Sequence, residues 1–325
     1  MNVIFERGIY LADLDVWLDG RVKRAQGFIS HAHSDHVARH SAAVLTPATR
    51  LLLGSLLNKS DCRTLDYYEP LDTPSYSMTL YPAGHCLGSA QVLVTSRQTG
   101  ERTLYTGDLK LQPNPTAAPA QPVACDTLII ESTYGHPQYQ FPPQDEVLDQ
   151  CFSILRSWLT SGHTPVVVSY RIGKAQEMLH HLVTAGFQVA LEESIWKATE
   201  TFQDAGVSFP SGFRLLDGRP KDGEVVMRPP GRKRAVEGDL SGVRTMGLTG
   251  WAVDPALRYR SSASTVLPFS DHADFNELLD YVKAVQPKQV FTVHGYPQLA
   301  GRLRELGYQA SHLEGRALNR QLRLL

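Results

Sequence analysis

The segment His31-Ala-His33-Ser-Asp35-His36 packs three imidazoles and a carboxylate into a single short stretch of chain. These are the donors that zinc and related divalent ions take, so the chemistry they point to is metal binding. A His-rich surface loop is the plain alternative, and the density of ligand-type residues disfavours it. The preceding residues, Arg24 to Ser30, read as a short strand entering a turn. A strand end followed by a turn can aim His31 and His33 at one ion, while Asp35 and His36 just beyond face a second.

Four further clusters share this character. His85 lies between glycines in Gly84-His85-Cys86-Leu87-Gly88, and Thr106-Gly107-Asp108 follows an apolar run ending at Tyr105. Asp271-His272-Ala273-Asp274 follows a Pro-Phe-Ser turn, and His294-Gly295 ends the run Gln289 to Val293. Strand ends and turns are where a rigid scaffold presents side chains to a site. Singly, each has an ordinary reading: His85 as a turn residue, Asp108 as a helix cap, His294 as a core histidine. Jointly they are hard to dismiss, because six of the 12 histidines fall in these motifs.

The elements that must position them are legible. With 325 residues, 42% hydrophobic and 20% charged, the chain is of globular type and long enough for one large domain or two smaller ones. A formal charge of −1 advertises no global field for nucleic acid, so any such binding rests on a local patch. Cys62, Cys86, Cys125 and Cys151 are scattered without a paired spacing, as in reduced proteins. The N-terminus lacks the apolar core of a signal peptide, and no apolar run of about 18 residues exists, so a cytoplasmic protein is expected.

Short apolar runs at Val3–Phe5, Ile9–Leu11, Val16–Leu18, Phe28-Ile29, Ala43–Leu45 and Leu80-Tyr81 predict strands. Gln91–Val94 and Thr103–Tyr105 read as a pair around Thr99-Gly100, and Thr127–Ile130 as a strand covered on both faces. From Pro143 the pattern turns helical, with Leu148, Cys151, Phe152, Leu155 and Leu159 at helical spacing. Strand Pro165–Ser169, helix Arg171–Leu182, strand Phe187–Ala190 and a helix from Ile195 to Ala205 follow. Alternating strand and helix to about residue 265 predicts a parallel α/β unit inserted into a first domain.

In order along the chain, His31-x-His33-x-Asp35-His36, His85, Asp108 and His294 resemble the metallo-β-lactamase fold superfamily. Glu131-Ser-Thr-Tyr-Gly after an apolar strand, together with His272 and His294, is similar to the signatures of its β-CASP branch, whose members process nucleic acids. The long stretch between Asp108 and His294 fits that branch's insert, where small-molecule hydrolases have a much shorter gap. Tyr105-Thr-Gly-Asp-Leu-Lys110 and Phe269-Ser-Asp-His-Ala-Asp274 look most like the bacterial ligase-associated DNA exonucleases.

The resemblance implies an α/β fold, a metallo-β-lactamase αββα sandwich over 1–143 and 266–325 with a β-CASP insert at 144–265. It implies that His31, His33 and His85 bind one metal, that Asp35, His36 and His294 bind another, and that Asp108 bridges them. Two zinc ions suit these donors, and manganese would tolerate them. It also implies a catalytic group of Asp35, His272 as general acid and Glu131 orienting His272 or a ligand. A histidine titrates near neutrality, which suits the acid role; a buried carboxylate capping a turn is the ordinary reading of Glu131. Asp271 and Asp274 read instead as helix-start residues before Phe275.

Two divalent ions held by few carboxylates keep positive charge for a phosphate. The function implied is a two-metal phosphodiesterase cleaving DNA, single-stranded or at a strand end, as an exonuclease of DNA repair, with 5′→3′ polarity by analogy and a DNA ligase as partner. An RNA-processing nuclease, a non-catalytic nucleic-acid-binding scaffold and a thioester or lactam hydrolase are the alternatives. For substrate grip, Tyr170, Arg171 and Lys174 open a helix, where an N-terminus with cations suits phosphate; a solvated face fits equally. The basic run Arg228 to Arg234 reads as a charged loop, and Arg244, Arg258 and Arg260 lie near the insert's return. His40, His136, His163, His180, His181 and His312 lack partners at ligand spacing and are read as non-ligands.

Overall fold

In the computed structural model, residues 1–231, 242–256 and 263–313 are described. The chain forms two compact units, one from residues 1–137 with the segment starting at His272, the other from Gln138–Asp271.

The first unit is built on two sheets. Short apolar runs broken by Gly and Asp turns make a six-stranded sheet in the order Val3–Phe5, Ile9–Leu11, Val16–Leu18, Gln26–Phe28, Ala42–Leu45, Asp61–Thr64. Its first three strands are antiparallel and the rest parallel. The second sheet has seven strands, ordered Gln309–His312, Gln289–Val293, Thr127–Glu131, Arg102–Tyr105, Ala90–Ser96, Tyr76–Pro82, Pro70–Asp72. The first four run parallel, and the pair expected around Thr99-Gly100 is an antiparallel hairpin.

Between these sheets lies a core of Ile9, Leu11, Leu18 and Phe28 from one and Met78, Leu80, Val92, Val94, Ile129 and Val293 from the other. Each such side chain contributes roughly 1.5–3 kcal/mol on burial. The outer face of the seven-stranded sheet carries Leu93, Leu104, Leu128 and Ile130, covered by helices Phe275–Val285 and Gln298–Glu305. Thr127–Glu131 is thus buried along its whole length, in keeping with its apolar run Leu128–Ile130. Helix Pro47–Leu53 completes the αββα sandwich expected from the motifs.

The second unit is a six-stranded, wholly parallel sheet ordered Phe213–Leu215, Gln188–Leu191, Glu224–Arg228, Thr164–Val168, Val243–Leu248, Thr265–Leu267. Helices Gln144–Thr160, Lys174–Thr184 and Glu193–Asp204 alternate with its strands. Val147, Cys151 and Leu155 turn inward, while Leu148, Phe152 and Leu159 are partly buried against the same core. Sequence pattern predicts a helix from Arg171; it starts instead at Lys174, because Gly173 at φ +86° holds a backbone outside the helical region. Among the described residues no helix is long and apolar enough to cross a membrane.

Candidate metal centre

Strand ends of the first unit converge the donors. The strand Gln26–Phe28 continues through Ile29, whose N–H donates to Val44 O at 2.9 Å, and the chain then leaves the sheet at His31. A turn closed by His36 N–H to His33 O at 3.1 Å brings back the next imidazole. His85 arrives through Gly84 (φ +78°), where a Cβ would stand 2.0 Å from Lys110 O, so only glycine admits this approach of two loops. His294 follows its strand at φ +59°, and the next residue, Gly295, would place a Cβ 1.9 Å from Ser132 O. A left-handed non-glycine residue costs roughly 1–2 kcal/mol and marks a functional position when the surroundings enforce it.

His31, His33, His85 and Asp108 bring one donor atom each to within 4.8 Å of one another. Asp108 is the hub: its Oδ2 lies 3.3 Å from His36 Nε2, 3.5 Å from His31 Nε2, 3.9 Å from His85 Nε2 and 4.0 Å from His272 Nε2. Burial would raise this carboxyl, yet the charges of His36 and His272 hold it well below the usual carboxylate range. Burial, with the charge of His36, pushes His31 well below the ordinary imidazole value. Burial acts in the same direction on His36, but Asp108 and Asp19 outweigh it and raise that imidazole well above its ordinary value.

Two buried atoms, Asp108 Oδ1 and His31 Nε2, have no hydrogen-bond partner in the protein. Leaving such groups unsatisfied costs about 1–3 kcal/mol each. A divalent cation removes that cost and suits one carboxylate among imidazoles, so the donor set fits a metal ion. The second half of the expected set is more open. Asp35 has a half-exposed side chain with Oδ2 3.8 Å from His36 Nε2, while His36 and His294 rings lie 5.1 Å apart. The nitrogens of His294 face Arg21 Nη2 at 3.2 Å and Tyr105 Oη at 3.0 Å.

Beside the donors stands a pair. His272 Nδ1 lies 3.0 and 3.1 Å from the two Glu131 oxygens. Glu131 is fully buried at the end of its strand and also accepts the N–H of Leu109 at 2.5 Å and of Thr133 at 3.4 Å. Glu131 thus contacts His272 and the backbone of two turns with the same carboxylate. Asp274 caps helix Phe275–Val285 in a capping box with Glu277, as its position before Phe275 predicts.

Sequence reasoning missed Asp19. Its carboxylate is 1% exposed and takes Ser30 N–H at 2.8 Å, Ser30 Oγ at 2.6 Å, His36 Nδ1 at 2.8 Å and Tyr105 Oη at 2.8 Å. Such a partner fixes the tautomer and aim of a ligand imidazole. Its only local signal is a turn Asp-Gly after Val16–Leu18, no stronger than that of Asp13 or Asp15. Asp19→Asn keeps the size and tolerates the φ of +46° but presents an amide N–H to a donor. We expect metal affinity to fall about 10–100-fold, read by competition with a chromophoric chelator; unchanged affinity would show that Asp19 does not orient His36.

Of the substrate candidates in the second unit, Tyr170 is 38% exposed and Arg171 is exposed. Lys174 is buried and its ammonium lies 2.9 Å from Asp271 Oδ1 in an ion pair that is itself buried. Asp271 is therefore engaged with Lys174, rather than acting only at the helix start. Arg228 is half-buried and donates to Pro229 O at 3.2 Å; Arg232, Lys233, Arg234, Arg258 and Arg260 lie outside the described residues. None of His40, His136, His163, His180, His181 and His312 joins a donor group among the described residues.

Two facing sheets flanked by helices, with this donor set at their strand ends, define a protein of the metallo-β-lactamase fold, its centre suited to metal-dependent hydrolysis. Residues 259–317 match the family described as the Zn-dependent metallo-hydrolase RNA specificity domain. The chain is 36% identical over 316 residues to a "Probable DNA ligase" of Opitutus terrae, covering 95% of this chain and 31% of that protein. It is 26% identical over 301 residues to transcription termination factor FttA of Pyrococcus horikoshii (72% and 46%), and 24% identical over 291 residues to DNA cross-link repair 1A protein of Mus musculus (81% and 28%). The chain thus spans less than half the length of each of these relatives. The family match at residues 259–317 and these relatives agree with the β-CASP branch of the metallo-β-lactamase family that the motifs resemble.

Proposed function

We propose that this chain is a two-metal phosphodiesterase that cleaves nucleic acid, with DNA as substrate and 5′→3′ exonucleolysis as its mode, acting in the cytoplasm. The carrying observation is the Glu131–His272 pair, with His272 Nε2 4.0 Å from Asp108 Oδ2 beside the donor group. His31, His33 and His85 would hold one ion, Asp35, His36 and His294 another, with Asp108 between. Bound there, the ions would acidify a water and stabilise the charge that develops on a phosphate.

The chain's own residues supply the rest. Glu131, held by two backbone N–H groups, accepts the Nδ1 proton of His272. With Nδ1–H held on Glu131, Nε2 is the face turned to the reaction, and in the doubly protonated ring it donates to the leaving oxygen. Asp19 and Ser30 hold His36 and His31 in their donor orientations, since Ser30 Oγ lies 2.9 Å from His31 Nδ1.

DNA is supported by the relatives named for DNA ligation and DNA cross-link repair, and a DNA ligase is the proposed partner. The RNA-directed reading is favoured by the family description over residues 259–317 and by the termination-factor relative. The test incubates matched DNA and RNA strands, labelled at one end, with protein loaded with zinc or manganese. Stepwise shortening of DNA from its 5′ end is the expected result. Degradation of RNA alone would replace DNA by RNA, and intact strands of both kinds with metal-loaded protein would overturn the reading.

A further inference from the structure

The donors His31 and His85 reach the centre from different sheets. His31 follows the strand Gln26–Phe28 of the first sheet, and His85 follows the strand Tyr76–Pro82 of the second. Their rings nonetheless stand 4.7 Å apart, and those of His33 and His85 stand 4.8 Å apart. A loop between strands is the part of a sheet with most backbone freedom, so the His85 turn needs an anchor to stay at that distance.

The turn runs from Gly84 to Ser89. Ser89 N–H donates to Cys86 O at 2.9 Å, closing a β-turn whose third residue is Gly88 at φ +75°. The Gly88 carbonyl meets the start of helix Pro47–Leu53, where it accepts the Thr46 hydroxyl at 2.7 Å and the Thr49 hydroxyl at 2.9 Å. A carbonyl oxygen has two lone pairs, and these two buried hydroxyls fill both. Thr46 Oγ1 also takes Thr49 N–H at 3.1 Å as the helix cap, which fixes the hydroxyls themselves. The approach is close: a Cβ on Gly88 would stand 2.7 Å from Thr49 N.

Thr46 directly follows the strand Ala42–Leu45, which pairs in parallel with Gln26–Phe28. Val44 O takes Ile29 N–H at 2.9 Å, two residues before His31. The helix start is therefore in fixed register with the strand that delivers His31 and His33. On the other side, Ala90 follows Ser89 and donates its N–H to Ser30 O at 2.8 Å.

We propose that Thr46 and Thr49 are positioning residues of the metal centre, a pair of hydroxyls that clamps the His85 turn against the His31 strand before an ion binds. The proposal rests on the reading of His85 as a metal donor, and not on the substrate or the reaction. A hydrogen bond lost alike with and without metal leaves metal affinity unchanged. Affinity falls only when the freed turn leaves its place in the metal-free protein, and it falls in proportion to the fraction that stays. That difference separates positioning from plain stabilisation.

The test measures zinc affinity by chelator competition, with the unfolding midpoint of the metal-free protein recorded beside it. Thr49→Val keeps the shape and loses the donor, Thr49→Ala loses both, and Thr49→Ser keeps the donor. The first two should bind zinc about tenfold more weakly, as when roughly a tenth of the molecules keep the turn in place, and should alter the visible spectrum of cobalt-substituted protein. Thr49→Ser should retain the wild-type affinity and spectrum. Valine and alanine variants that unfold more easily yet keep both would overturn the proposal.

Hydrogen exchange on the wild type supplies a second reading that needs no variant to fold. Ser89 N–H should be as protected without zinc as with it. Protection that arises only on adding zinc would show that the ion, and not the threonines, holds the turn, and would overturn the clamp. A His85→Ala protein with wild-type zinc affinity would instead overturn the ligand reading on which the proposal stands.

Discussion

Replacing His272 with alanine should leave metal content unchanged and lower turnover by about 100- to 10,000-fold, the range of a positioned general acid. The reason lies in how the imidazole is held. Glu131 is fully buried, and two backbone N–H groups already fix its oxygens, so it can take the His272 Nδ1 proton in only one orientation. The side chain of His272 keeps 13% of its surface accessible, enough to meet a reacting oxygen. It also stands close to donors: with Asp108 and Glu131 it forms a group that could itself hold an ion. Metal analysis beside single-turnover rates separates the roles. Protein that loses an ion with His272 would make it a ligand and remove it as the acid.

A second large effect is expected at Asp108. Its Oδ2 lies within 4.0 Å of nitrogens from His31, His36, His85 and His272. Without it, the carboxylate shared by four imidazoles is gone, and an ion at His31, His33 and His85 must be held by neutral ligands alone. Outer partners of ligands cost 10–100-fold in affinity, so the direct ligand role proposed for Asp108 predicts a loss of more than about 100-fold, with activity falling in step. Asp108→Asn, which keeps the shape and loses the charge, should fail almost as fully as Asp108→Ala. Chelator competition followed by elemental analysis reads the loss. Wild-type metal affinity in Asp108→Ala would remove Asp108 from the centre.

The donor residues were legible because the coding signal is local. His31 to His36 fit on one turn, and His85, Asp108 and His294 each follow an apolar strand that periodicity reveals. The strand Thr127–Glu131, buried on both faces, was visible from its apolar run Leu128–Ile130, and the parallel alternation of the second unit as a change of period. Asp19 was not legible, since an aspartate before glycine is ordinary turn chemistry until its carboxylate is seen holding His36, Ser30 and Tyr105 at once. Lys174 illustrates the reverse. A cation at a helix start reads as a phosphate site, but the fold pairs it with Asp271, far along the chain, inside the protein.

The sequence by itself determined which residues carry metal-type donors, that they stand at strand ends, and that a parallel α/β segment interrupts the domain carrying them. Spacing and hydrophobic period carry that information, because both are properties of neighbouring residues. Only the tertiary structure decided the partnerships: Glu131 with His272, Asp19 with His36, and Arg21 with His294, 273 residues apart. These depend on which strands pair and in what register, and no local pattern encodes which distant side chain will be carried to within hydrogen-bond distance.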